Sequence, residues 1–280
     1  MSVKIIVDST VDVCDRYRDK MVVVPLTVRF GDKEYKDRVE LGAREFYEKL
    51  VENDVMPSTS QANISDFETI FEEETGKADE IIVITISSKL SGTYHSAKIA
   101  AEKYSGKVFV VDSLSVSIGA GILAEFALEL ANAGLNARGI VKRLNIEREN
   151  VKVIALFDTL EFLKRGGRIS ATAAFAGTML SIKPVITVKD GEIAILGKAR
   201  GSKHLSDYLI REIGNAGSIN FSKPLLLGYT GFDDSALQKF IEDSRHIWEG
   251  NTDTLDTSTV GSAVGTHAGP GAVAIAFYAR

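Results

Sequence analysis

Between Ser87 and Tyr94 the chain places five hydroxyl side chains and a glycine in eight positions, Ser87-Ser88-Lys89-Leu90-Ser91-Gly92-Thr93-Tyr94. The apolar run Ile81-Ile82-Val83-Ile84-Thr85-Ile86 precedes it, and a helical pattern through Ala97, Ala100 and Ala101 follows. A buried strand therefore opens through a hydroxyl-rich turn into a helix. At such a junction free backbone N–H groups and short side-chain donors converge on one point, which suits a carboxylate or a phosphate. An ordinary helix cap accounts for any one of these serines. It does not account for the cluster.

Three further segments carry residues able to serve the same anion. Pro57-Ser58-Thr59-Ser60-Gln61 reads, taken alone, as a polar turn that caps the next helix from Ser60 or Ser65. Leu163-Lys164-Arg165-Gly166-Gly167-Arg168-Ile169-Ser170 surrounds a glycine pair with three cations. A helix C-cap explains Lys164 and Gly166 but leaves Arg168 beyond the cap, where its planar fork suits a carboxylate or a phosphate. Val264-Gly265-Thr266-His267-Ala268-Gly269-Pro270-Gly271-Ala272 reads as a Gly/Pro turn before a last apolar strand. His267 there is off any apolar helix face, and an imidazole beside an anion can donate a hydrogen bond or move a proton. His95, His204 and His246 fall in helical patterns and read as surface or structural residues.

Other chemistry is missing. Gly119-Ala120-Gly121-Ile122-Leu123-Ala124 matches G-x-G-x-x-A but starts seven residues after the strand that ends near Asp112, so it reads as close helix packing. No phosphate-binding G-x-x-x-x-G-K-[ST] and no G-x-S-x-G elbow occurs. No Cys/His cluster has metal-ligand spacing, so neither a metal nor a cofactor is expected. Ser91 and His267 could form a nucleophile and its base in an acyl-ester hydrolase. No orienting acid is evident beside them, and a crowd of equivalent hydroxyls suits an oxyanion better than one activated nucleophile.

The elements that must hold these residues follow from periodicity. Strands are expected at Val3–Asp8, Val22–Phe30, Glu80–Ile86, Lys107–Asp112 and Val151–Phe157. Helices are expected at Ala43–Asn53, Ser65–Glu74, Ser91–Tyr104, Ser115–Ala133 and Ala137–Glu147. This alternation predicts βαβ units around a mainly parallel sheet. Asp8-Ser9-Thr10, Ser87–Tyr94 and Asp112-Ser113 then share the carboxyl-end rim, where such sheets bind ligands. Past residue 150 the pattern changes. Lys189-Asp190-Gly191-Glu192 joins Pro184–Val188 and Ile193–Gly197 as a hairpin. Strands near Pro224–Tyr229, Thr252–Thr257 and Ala272–Ala279 and helices near Lys203–Ile213 and Asp234–Arg245 complete a smaller layer with a mixed sheet. The fold class is α/β, with domains at 1–150 and 151–280.

Composition bounds the partners. The 280 residues are 45% hydrophobic and 25% charged, with a net charge of −5, so no basic excess suits nucleic acid. Cys14 is the single cysteine, which rules out an internal disulfide framework and fits a reducing compartment. No signal-peptide pattern and no apolar run of about 20 residues occurs, so a cytoplasmic protein is expected.

Taken in order, these segments resemble the DegV family of bacterial lipid-binding proteins. The matching pieces are Ile6–Thr10, Pro57–Gln61, Ser87–Tyr94, Asp112-Ser113, Leu160–Ser170, Ile182-Lys183-Pro184 and Val264–Ala272. Where a proline often follows the Gln of the family's T-S-Q segment, Ala62 stands here. The resemblance implies a two-domain DegV-like fold, an N-terminal α/β/α layer and a C-terminal mixed-sheet domain, with one long-chain fatty acid such as palmitate or oleate between them. It implies that Thr59 and Ser91 hold the carboxylate, that His267 lies close to the head group, and that Arg168 supports phosphoryl transfer. It implies no catalytic residue, but carriage of the acid, including presentation to a separate fatty acid kinase and transient membrane contact. An acyl chain of about 14 methylenes buried at about 0.8 kcal/mol each contributes roughly 11 kcal/mol gross. Small and apolar residues on helices at 115–130 and 170–182 are the expected lining. A dihydroxyacetone-kinase-like subunit, which binds its ketone through a histidine, is the remaining alternative by fold-level analogy.

Overall fold

The structure, a computed structural model, describes residues 2–52, 55–170, 182–200 and 205–280. The chain runs β1 (Val3–Asp8), α1 (Asp15–Arg18), β2 (Val22–Val24), β3 (Thr27–Phe30), β4 (Lys33–Lys36), α2 (Ala43–Glu52), β5 (Ser58–Ser60), α3 (Ile64–Thr75), β6 (Glu80–Thr85), α4 (Thr93–Ala101), β7 (Val108–Asp112), α5 (Ile118–Asn132) and α6 (Ala137–Glu147). It continues with β8 (Val151–Leu156), α7 (Glu161–Arg165), β9 (Ile182–Lys189), β10 (Glu192–Arg200), α8 (Leu205–Asn215), β11 (Leu226–Tyr229), α9 (Ser235–Asp243), α10 (Arg245–Trp248), β12 (Thr257–Thr259), α11 (Ser262–Ala268) and β13 (Val273–Tyr278).

Three sheets organise it. A parallel four-stranded sheet has the order β2-β1-β6-β7, and a mixed six-stranded sheet has the order β10-β9-β8-β13-β11-β12. A small antiparallel sheet, β4-β3-β5, stands beside them. The central parallel strands carry continuous apolar runs, Ile5-Ile6-Val7 and Ile81-Ile82-Val83-Ile84, because both faces are covered. Ile5, Val7, Ile82 and Ile84 pack with α5 and α6, whereas Ile6, Ile81 and Val83 pack with the α2, α3 and α4 side. Gly121 of α5 lies against the Asp12 carbonyl, which a Cβ would meet at 1.9 Å, so this glycine serves close packing as its spacing suggests.

The six-stranded sheet is two-faced. Ile154, Leu156, Val273, Ile275 and Phe277 point into a core with α8 and α9. The alternate residues of the same strands face the other way, as the two-residue period requires. The β9–β10 hairpin turns through Asp190 and Gly191, both at positive φ, with Lys189 paired to Glu192. That is the two-residue turn the Asp-Gly signal predicts.

Four local expectations are corrected. The single strand at Val22–Phe30 is broken at Pro25, which has no N–H for a ladder, and its halves β2 and β3 join different sheets. Ser58–Ser60 is a strand, held by pairing with β3. The last parallel pairing uses Thr257–Thr259, later than the expected Thr252–Thr257. His267 lies on helix α11 and not in a turn. Among the described residues no helix is long and apolar enough to cross a membrane, and no group of His, Cys, Asp or Glu is placed to hold a metal ion.

Candidate functional site

A cavity of about 420 Å³ lies where the three sheets meet. Its apolar wall is the second face of the six-stranded sheet: Val153 and Ala155 of β8, Ile186 and Val188 of β9, Ile193 of β10 and Ala274 of β13. Small residues at 155 and 274 leave the space that larger ones would fill. Val116 and Ile118, at the start of α5, also face it, so part of the lining expected at 115–130 is in place. The lining expected at 170–182 falls almost wholly on 171–181, outside the described residues.

All four residues that the sequence motifs and the family resemblance singled out, Thr59, Ser91, Arg168 and His267, line this cavity. Thr59 sits opposite Val28 in the β3–β5 ladder. His267 sits near the end of α11, a helix that follows the six-stranded sheet's β12 in sequence but packs on α2, α7 and the small sheet. The two side chains meet, with Thr59 Oγ1 2.8 Å from His267 Nε2. Ser91 lies in the turn before α4, its Oγ 2.9 Å from Thr93 Oγ1 and accepting the Thr93 N–H at 3.2 Å. Arg168 follows the cap of α7 and donates to the carbonyls of Gly166 at 2.6 Å and Leu90 at 3.3 Å, which ties its segment to the one carrying Ser91.

Gly166 does more than end a helix. Its φ is an ordinary −71°, but a Cβ there would lie 2.0 Å from His267 Nδ1, so the bare Cα is what admits the imidazole. Burial first, and the Arg168 charge second, push the His267 pKa down to about 4. The ring is therefore neutral at pH 7, with one nitrogen a donor and the other an acceptor. Nδ1 is buried with no partner. Leaving a buried acceptor lone pair unpaired costs less than stranding an N–H, so the favoured tautomer carries its proton on Nε2. Nε2–H then donates to Thr59 Oγ1 and frees the threonine O–H to donate into the cavity.

Ser91 and His267 share no hydrogen bond. Nε2 goes to Thr59, no carboxylate orients the ring, and Ser91 is engaged by Thr93. A hydrolytic pair would need the reverse. His95 and His246 are exposed on their helices, and His204 lies outside the described residues.

Sequence reading gave no role to Gln61 and missed Val260 and Ala263. Gln61 lines the cavity mouth and donates Nε2 to Ser96 Oγ at 3.0 Å, joining β5 to α4. Val260, Ala263, Val264, His267 and Ala268 all line the cavity, a stripe at helical spacing that could have revealed α11. Asp8-Ser9-Thr10 and Asp112-Ser113 do lie at the rim. Asp8 accepts the Ile86 N–H at 2.7 Å and Asp112 the Ser88 N–H at 3.1 Å.

Comparison with known proteins places the chain in a family. A family model for the uncharacterised DegV family matches residues 2–280. The chain belongs to the DegV family. A DegV domain-containing protein of Caldanaerobacter subterraneus subsp. tengcongensis is 34% identical over 262 residues, covering 91% of this chain and 90% of that one. Among solved structures, a DegV family protein of Thermus thermophilus described for its fatty acid binding superposes with a TM-score of 0.88 at 31% identity, with all of both chains covered. The Streptococcus pneumoniae Fatty Acid Kinase (Fak) B3 protein, loaded with linoleic acid, shares the fold with a TM-score of 0.87 at 23% identity and full coverage of both chains. The DegV fold is thus shown over the whole chain, as the motifs led one to expect.

Proposed function

We propose that this protein binds one long-chain fatty acid between domains at 1–150 and 151–280, with no chemistry of its own. The observation that carries the reading is the cavity's division. Thr59, Ser91, His267 and Arg168 bring hydroxyl, imidazole and cationic groups to the cavity, Thr59 and His267 in direct contact, and an apolar sheet face forms the rest of its wall. A carboxylate at the donor end accepts charge-assisted hydrogen bonds from Thr59 and Ser91, while the neutral His267 aligns the threonine. The solved Thermus thermophilus relative binds a fatty acid, which supports the assignment.

The cavity volume is in keeping with a long acyl chain. An apolar cavity of about 150 Å³ takes benzene, or about 25 Å³ per carbon, so 420 Å³ suits an acid of about 17 carbons. Palmitate and oleate fall in that range. Arg168 holds two backbone carbonyls beside the head group, and its remaining N–H donors suit a phosphoryl oxygen arriving at the acid. The role we assign is carriage of the acid and its presentation to a separate kinase. That fits a protein of the cytoplasm that meets membranes only transiently.

Denaturing extraction of the purified protein, followed by mass spectrometry, tests the reading. About one acid per chain is expected. Protein that comes away lipid-free and also fails to bind added palmitate or oleate overturns it. Arg168→Ala is expected to keep palmitate binding within a few-fold while slowing acyl-phosphate formation by a cognate kinase by about 10³ or more, as for other arginines at a transferring phosphoryl group. Lost binding with an unchanged transfer rate would reverse the roles.

A further inference from the structure

We propose that the loop Asp8-Ser9-Thr10-Val11-Asp12 is the positioning centre of the head-group site, because three of its side chains each grip the backbone at the start of a different segment, two of which carry a head-group residue and one of which pairs with the strand that does. The inference rests on the fatty-acid reading above and deepens it.

The three grips are distinct. Asp8 Oδ2 accepts the N–H of Ile86 at 2.7 Å, where β6 ends and the turn bearing Ser91 begins. Ser9 Oγ accepts the N–H of Leu26 at 3.0 Å, one residue before β3, the strand that holds Thr59 in register. Asp12 Oδ1 accepts the N–H of Gly261 at 2.9 Å, the residue that caps the helix bearing His267. Ser91, Thr59 and His267 come from three separate stretches of sequence, and nothing local fixes their mutual distances. One loop touches the roots of the Ser91 and His267 segments directly, and that of Thr59 through its partner strand β3.

The loop is built as an anchor. Asp8, Ser9, Thr10 and Asp12 are each at most 2% exposed. Asp8 Oδ1 takes both the N–H and the hydroxyl of Thr10, which fixes the turn. Asp12 also takes the Arg38 guanidinium at 2.5 Å and the Ser117 hydroxyl at 2.6 Å, which brings the start of α5 to the same point. Thr10 and Ser117 line the cavity, so the anchor sits directly behind its wall. A buried polar group without a partner is costly, so each gripped N–H resists moving away from its acceptor.

A merely structural loop and a positioning loop differ in which ligands they affect. Ser9→Ala removes one oxygen and leaves Leu26 N–H without its acceptor. Asp8→Asn keeps the side chain's shape but must turn an amide N–H toward either Ile86 or Thr10. Binding of palmitate is compared with binding of hexadecan-1-ol, which has the same chain and no carboxylate, by displacement of a fluorescent fatty acid. Each variant is expected to weaken palmitate about tenfold and the alcohol less than twofold. NMR titration should show the His267 pKa rising from about 4 toward 6.5 as loosening of the site lets water reach the buried ring. Equal losses for both ligands, or no loss for either, overturn the proposal. Thr59→Val separates this from failure of the parent reading: if it too leaves the acid-to-alcohol ratio unchanged, the head group is elsewhere. If Thr59→Val shifts the ratio and the loop variants do not, only the positioning role is wrong. Ser9→Ala decides alone should Asp8→Asn not fold.

Discussion

The two ends of the cavity are made in different ways. The apolar wall comes from neighbouring strands of one sheet, whose alternate residues Val153 and Ala155 face inward while Ile154 and Leu156 enter the core behind. Ladder hydrogen bonds fix such a surface, and side chains can change on it without moving the backbone. The polar mouth joins β5, the turn before α4, the segment after α7 and α11, which are remote in sequence, through single contacts such as Thr59 with His267. It is held by few, specific bonds. The wall should therefore set how much chain is bound and the mouth which head group, and the two should fail differently.

Blocking the wall gives the largest effect. Ala274→Phe places a ring where the acyl chain runs. If about four methylenes are displaced at about 0.8 kcal/mol each, palmitate binding weakens by about 3 kcal/mol, while a ten-carbon acid loses much less. Equal losses for the two acids would show that the chain does not follow this sheet. At the mouth, Thr59→Val and Ser91→Ala are each expected to cost about 1–3 kcal/mol, and the double variant less than their sum, since both donors serve one carboxylate. Thr59 should cost more, because His267 holds its hydroxyl while Ser91 has only its neighbour Thr93. Strictly additive losses, read by competition binding, would separate the two residues into different sites.

The smallest effect is in the pH dependence of folding, where two regions oppose each other. His267 resists protonation in the folded chain, with a pKa of about 4 against an ordinary 6.5. The stability linked to it is complete above pH 6.5 and is lost as the pH falls through 4. Glu125 on α5 does the reverse. Burial pushes its pKa up to about 7, opposed by hydrogen bonds from Cys14. Stability linked to Glu125 is complete below pH 4.5 and is lost as the pH rises through 7. Between pH 5 and 7 the two slopes offset. Glu125→Gln keeps an acceptor for the Cys14 N–H and removes one slope, so denaturant unfolding at pH 8 should show a gain on the order of 1–2 kcal/mol that is absent at pH 5. A gain of the same size at both pH values would mean that Glu125 is ionised throughout.

The same contrast decides what the sequence could reveal. The parallel sheet and the β9–β10 hairpin are local patterns: continuous apolar runs separated by helices, and an Asp-Gly pair between two strands. The wall follows from them once β8 and β13 are placed. His267 was found by its type and surroundings and Thr59 by the family resemblance, yet the elements carrying them were misread. Ser58-Thr59-Ser60 has no apolar alternation and becomes a strand only because β3 lies alongside. The α11 helix is punctuated by Gly261, Gly265 and Gly269, and it is held by Asp12 and Asp37, which accept the N–H groups of Gly261 and Ala263. Tertiary contacts create both elements, and no window of local sequence contains those contacts.

The most direct test is a crystal structure with palmitate bound. The carboxylate should lie within about 3.2 Å of both Thr59 Oγ1 and Ser91 Oγ. The chain should run along Val264 and Ala263 of α11 and over Ala155 and Ala274. A carboxylate seated instead beside Thr10 and Ser117, with the methyl end at His267, would contradict the account.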